Sequence, residues 1–164
     1  TAANYLWFDT KIFITEPFTS PYDDRKGRQF FWNYLGKTGL FGEFEYKQSL
    51  SRNTAIIVSF LAVFMFVYVF IGLYYLNKRD LEVLAVPILS FLFLWGGVTY
   101  MRMTFPANID FRYITPILIS FCIFYGVSII SFERSGKQKL AIFGSIVALL
   151  FVVNSMLFIF GLKR

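Results

Sequence analysis

TAIIVSFLAVFMFVYVFIGLYYL, residues 54–76, runs its whole length without an Asp, Glu, Lys or Arg. At about 1.5 Å of rise per residue, a helix over this stretch crosses a hydrocarbon core roughly 30 Å thick. Its apolar residues fall on every side of such a helix rather than in one stripe, so no face of it suits water. Three further windows, 83–101, 113–132 and 140–162, are equally free of charge. Composition points the same way. Of 164 residues 57% are hydrophobic and 16% charged, with 22 phenylalanines, where soluble domains carry about 25% charged residues. The expected fold is an all-α membrane protein: a four-helix transmembrane bundle over residues 54–164, preceded by an external arm over residues 1–53.

The arm mixes charges of both signs and has no spanning segment. Within it EPFTSPYDD, residues 16–24, reads as an extended turn ending in a helix N-cap. A short helix is expected from Arg25 or Lys26 to Leu35, stopped by Gly36. Phe31, Trp32 and Tyr34 stand there beside Arg25, Lys26 and Arg28. That mix suits a helix lying in the head-group layer, and equally one whose aromatics pack on the bundle. Gly39 and Gly42 should break any helix before the first span. Leu40, Phe41, Phe44 and Tyr46 need burial, so the segment that carries them is expected to be ordered.

The chain has no histidine, which excludes zinc sites and His-based triads within it. Its one cysteine, Cys122, falls inside the third apolar run, where a packing role is expected rather than a redox one. Chemistry here must rest on carboxylates, Arg, Lys, Tyr or backbone groups, and neither metal nor cofactor is expected. The net charge of +6 is scattered. It fits basic residues anchoring helix ends, or attraction to anionic lipid and phosphate-bearing ligands. No basic run or stacking platform stands outside the spans, so nucleic acid is not an expected partner. The first residue is Thr, with no basic region followed by an apolar core after it; a processed or partial piece without a signal peptide is expected.

FPANIDFRYITPILISF, residues 105–121, sets Asp110 and Arg112 directly before the third apolar window, with Arg102 just upstream. Two arginines at one membrane surface can hold a phosphate by bidentate hydrogen bonds, with Asp110 orienting one of them. They can equally snorkel from helix ends while Asp110 caps the next helix.

The run GRQFFWNYLGKTGLFGEFEY together with IDFRYITPILISF resembles the C-terminal part of GT-C membrane glycosyltransferases of the protein O-mannosyltransferase and aminoarabinose-transferase type. The matching positions are Phe31, Trp32, Tyr34 and Leu35; Leu40, Phe41, Gly42, Glu43 and Phe44; and Arg112, Tyr113 and Pro116. The similarity runs from about residue 17 to the end. It implies an enzyme moving a sugar from a polyprenyl-phosphate donor to an acceptor at the outer membrane face. The arm, the Arg112 loop and the C-terminus would be extracytoplasmic, in a bacterial cytoplasmic membrane. Arg112, Tyr113 and Arg102 would face the donor phosphate, Asp110 and Glu43 would orient groups or face the acceptor, and Phe31, Trp32, Tyr34 and Phe41 would lie at the interface. The family's catalytic acidic residue sits in a first extracytoplasmic loop that nothing here matches, so the main base would lie outside this chain. Expected partners are membrane lipid, the lipid-linked donor, and the rest of the same polypeptide or a partner membrane chain. The alternative is a non-catalytic four-helix subunit of a larger complex, supported by the small-residue spacing of Gly144 and Ala148. Charge counts leave orientation open.

Overall fold

The computed structural model describes residues 3–19, 30–42, 46, 49–104 and 115–161. Every regular element among them is an α-helix: α1 (Ala3–Leu6), α2 (Thr10–Thr15), α3 (Phe31–Phe41), α4 (Ser49–Leu73), α5 (Lys78–Thr104), α6 (Ile117–Arg134) and α7 (Gln138–Gly161). The last four are long and apolar enough to cross a membrane. Only 17% to 33% of the most apolar window of each is buried inside the protein. Large side chains such as Phe70, Phe93, Ile119 and Phe160 therefore remain at the surface. In water such a surface would drive aggregation; against lipid it is the expected one.

The chain divides into two compact units. One takes the described residues up to Val63 and from Leu150 onward, the other those between Phe64 and Leu149.

In the first unit, α3 is held by packing on both flanks. Gly36 does not stop it, and neither does Gly39. The helix runs on to Phe41 and ends at Gly42, whose φ of 72° is the left-handed conformation glycine adopts freely. Gly36 serves a contact instead, because a Cβ there would stand 2.8 Å from the Phe13 ring. Residues 25–29, where the helix was expected to begin, lie outside the described residues. Beyond α3, Phe41 joins Phe18, Ala55, Val58 and Phe158 in a buried cluster, with Leu40, Tyr46 and Phe151 against it. The rings of Phe41 and Phe158 are 5.2 Å apart, edge to face, a favoured aromatic geometry.

In the second unit, α5 begins at Lys78, five residues ahead of its charge-free window. Asn77 and Asp80 explain the extension. The Asn77 N–H donates to Asp80 Oδ2 at 3.0 Å and the Asp80 N–H to Asn77 Oδ1 at 2.9 Å, a reciprocal cap. Arg134, at the end of α6, then grips both Asp80 oxygens with Nη1 and Nη2 at 2.9–3.0 Å, and Ser131 Oγ donates to Oδ2 at 3.3 Å. A planar guanidinium matched to a carboxylate fixes angle as well as distance, so this fork ties the α4–α5 turn to the end of α6. The expected start of the third span moves too, from residue 113 to Ile117, with Pro116 in the N-cap position. Proline is tolerated at a helix start and disfavours helix in the residue before it.

Close approach between helices rests on small residues. A Cβ on Gly72 would collide with Ser128 Oγ and Cβ and stand 3.1 Å from Ser128 Cα; one on Gly144 would collide with the tip of the Tyr68 ring. Gly144 is therefore occupied within the chain, and Ala148 packs on the same Tyr68 cluster. Gly72→Ala should destabilise by about 1–3 kcal/mol, the usual effect of forcing a methyl into a filled contact. Gly144→Ala should cost less, because a ring tip can swing where a backbone cannot. At Gly97, where added atoms meet nothing within 4 Å, alanine should be neutral or stabilising by up to about 1 kcal/mol. Unfolding in mixed micelles ranks the three variants, and an equal loss at all three positions would contradict this packing.

Candidate functional site

Four of the residues singled out for the donor phosphate and its surroundings, Asp110, Arg112, Tyr113 and Glu43, lie outside the described residues. Arg102 belongs to the last turn of α5. The described part of the candidate site is α3, which carries the first resembling segment.

Along α3 the aromatics face protein. Phe31, Tyr34 and Phe41 are buried and Trp32 is half-buried. Phe31 lies 6.1 Å from the Tyr5 ring and 4.8 Å from Trp32, whose indole Nε1–H donates to the Tyr5 carbonyl at 2.6 Å. Phe41 sits among Phe18 and Phe158. These rings position the arm rather than standing free on its surface.

Two polar residues on the same helix escaped the sequence reading. Asn33 is fully buried and clamps the strand of chain between α1 and α2: its Oδ1 accepts from the Asp9 N–H and its Nδ2 donates to the Asp9 carbonyl, both at 2.8 Å. Asp9 in turn caps α2, its Oδ1 accepting from the Ile12 N–H at 2.9 Å. One turn further along, Lys37 has no exposed surface at all. A lysine with no access to water is tolerated when its ammonium is engaged, and Lys37 is not without a partner. The signal was present as the i, i+4 series Asn33, Lys37, Phe41. A helix ending before Gly36 hides it, because it leaves Lys37 in a loop, where a lysine is ordinarily solvated.

Elsewhere the polar groups are committed to structure. Both Asp80 oxygens are engaged by Arg134, Ser131 and the Asn77 N–H, so this carboxylate offers no free lone pair to act as a base. The Tyr68 and Tyr125 hydroxyls donate to the α7 carbonyls of Leu140 (3.0 Å) and Gly144 (2.7 Å). In the first unit Thr19, Ser51 and Ser59 keep fully buried hydroxyls with no hydrogen-bond partner among the described residues. An apolar groove of about 510 Å³ runs between α5 and α6, lined by Val86, Leu89, Phe93, Pro116 and Ile119, with Ser90 and Ser120 as its polar members.

No known protein family, curated protein or solved structure matches the chain.

The Asn33 clamp gives a direct test of how the arm is built. Asn33→Leu keeps the volume but leaves the Asp9 N–H and carbonyl unpaired, a loss of about 1–3 kcal/mol for buried groups left unsatisfied. The amides of Asp9 and Ile12 should then exchange about tenfold to a hundredfold faster while α4 to α7 keep their protection. Unchanged exchange at Asp9 would show that the clamp holds nothing.

Proposed function

We propose that the chain is the C-terminal membrane portion of a glycosyltransferase of the GT-C kind, moving a sugar from a polyprenyl-phosphate donor to an acceptor at the outer face of a bacterial cytoplasmic membrane. The observation that carries this reading is the pairing of two segments, GRQFFWNYLGKTGLFGEFEY and IDFRYITPILISF, each leading into a membrane-spanning helix. The build of α3 supports it. A mere tether would not enclose Asn33 and Lys37 completely, whereas a helix that shapes part of a binding site must be held rigidly.

In this reading the arm, the 105–114 connection and the C-terminus are extracytoplasmic. As the glycosidic C–O bond of the donor breaks, the leaving phosphate gains negative charge. A fixed cation that meets this charge only as it develops lowers the barrier. Arg112 takes that role, with Tyr113 and Arg102 beside it; Asp110 orients Arg112, and Glu43 faces the acceptor. The base that activates the acceptor belongs to a region outside these residues. The membrane lipid and the remaining polypeptide complete the enzyme.

Lysine at position 112 separates a phosphate grip from simple anchoring. Lys keeps the charge and the apolar stem but not the planar fork, so in the full-length protein supplied with its lipid-linked donor Arg112→Lys should lose about 1.5–3 kcal/mol of transition-state stabilisation. Turnover should fall about tenfold to a hundredfold. Expression should be unchanged. Wild-type kinetics in the Lys variant, together with unaltered donor affinity in Arg112→Ala, would remove Arg112 from the site. A complete reading frame without further spans and an acidic first loop upstream would overturn the reading as a whole.

A further inference from the structure

Among the described residues of the first unit, Leu6, Trp7 and Phe8 form a run of three consecutive exposed large apolar residues, at 83%, 58% and 39% exposure. They run from the end of α1 toward α2, and after the half-buried Asp9 come the exposed Thr10 and Lys11. Of the α3 aromatics offered as the interfacial set, Phe31, Tyr34 and Phe41 are buried and Trp32 half-buried, so among the described residues of the arm the exposed aromatics are Trp7 and Phe8.

The position of this run relative to the bilayer follows from contacts within the same unit. Arg52 lies in the first turn of α4, and beyond Asn53 that helix carries no charge to its end. The guanidinium of Arg52 thus marks the level at which the span leaves the hydrocarbon. Its Nη2 donates to Glu16 Oε1 at 3.3 Å, and Glu16 is the C-cap residue of α2. The end of α2 therefore sits at that level. The six residues of α2, Thr10–Thr15, rise about 9 Å, and the polar layer of a bilayer is roughly 5–8 Å deep on each side. A short helix fastened at this level by its last residue leaves Leu6 to Phe8 within reach of lipid. The chemistry agrees. Trp and Phe beside an exposed lysine form the set that partitions into the head-group boundary, where the indole has an apolar body in the acyl chains and its N–H among polar groups.

We infer that Leu6, Trp7 and Phe8 insert into the head-group boundary of the bilayer and form the membrane-contacting surface of the arm. This follows from the spanning helices and the arm contacts alone and does not depend on the glycosyltransferase reading.

Nitroxide labels attached to cysteine at positions 6, 7 and 8, one at a time in a Cys122→Ser background and in lipid vesicles, test it. Two reference labels calibrate the readout: Val153→Cys on the exposed apolar surface of α7, and Arg79→Cys, exposed in the first turn of α5. The inference requires collision with oxygen to approach the Val153 reference at one or more of the three positions. Collision there with a water-soluble nickel chelate must also fall well below the Arg79 reference. High nickel access at all three positions would place the run in water and overturn the inference. Low access to both probes would show that protein covers it, and would overturn the inference equally. Leu6 and Trp7 are largely exposed, so labels there leave the fold intact, whereas the Phe8 ring lies 5.1 Å from that of Phe13; unchanged spectra at Val153 would verify the fold for all three.

Discussion

Polar atoms inside a bilayer core have no water to turn to, and the packing of the second unit follows from that constraint. Helices satisfy their own backbones. Side-chain hydroxyls then need an acceptor on a neighbour, and Tyr68 and Tyr125 find it in the carbonyls of Leu140 and Gly144. Such bonds demand that backbones come close. Gly72 against Ser128 and Gly144 against Tyr68 supply the room, since lipid-embedded helices gain little from the hydrophobic effect and associate through tight contact. At the end of α6 the same economy of charge holds: Asp80 is nearly enclosed, and it is tolerated there because Arg134 and the Asn77 cap occupy its oxygens.

The spans were legible because charge is nearly incompatible with the bilayer core, so its absence over twenty residues is a strong local signal. Their ends were less legible, because ends are decided by pairs. Nothing in NKRDLE by itself says that Asp80 will be neutralised by an arginine 54 positions away, so the second helix was read as starting at residue 83 rather than Lys78. In the third span, Pro116 and not the loss of charge sets the start. In the arm, Gly36 carried two meanings. As punctuation it ends a helix; as a contact it lets Phe13 lie against one, and the contact prevails because Phe13 and Asn33 hold both sides of α3 together.

Of the candidate site, the part on α3 is described and the part around Arg112 is not among the described residues. What the structure adds is the character of the arm. Read as a head-group helix or as packing, it contains an enclosed asparagine, an enclosed lysine and a buried aromatic junction between Phe18, Phe41 and Phe158. Enclosed polar groups of this kind hold the arm's side chains in fixed positions, as the proposed function requires. Its exposed Leu6–Phe8 run, by contrast, carries no signal in the sequence, because three apolar residues in a row do not by themselves say which side of the chain is covered.

Four helices are long and apolar enough to cross the membrane, and if all four cross it they fix which connections share a face. Between the arm and the α6–α7 turn the chain passes through three of them, so the two must lie on opposite faces whichever way the protein is oriented. Cysteine at Thr15 and cysteine at Ser135, each in a Cys122→Ser background, should react with an impermeant maleimide from opposite sides of sealed vesicles of uniform orientation: one at once, the other only after lysis. A label at Arg79 should follow Ser135. Reaction of Thr15 and Ser135 from the same side would contradict the account, because no arrangement of three spans between them allows it.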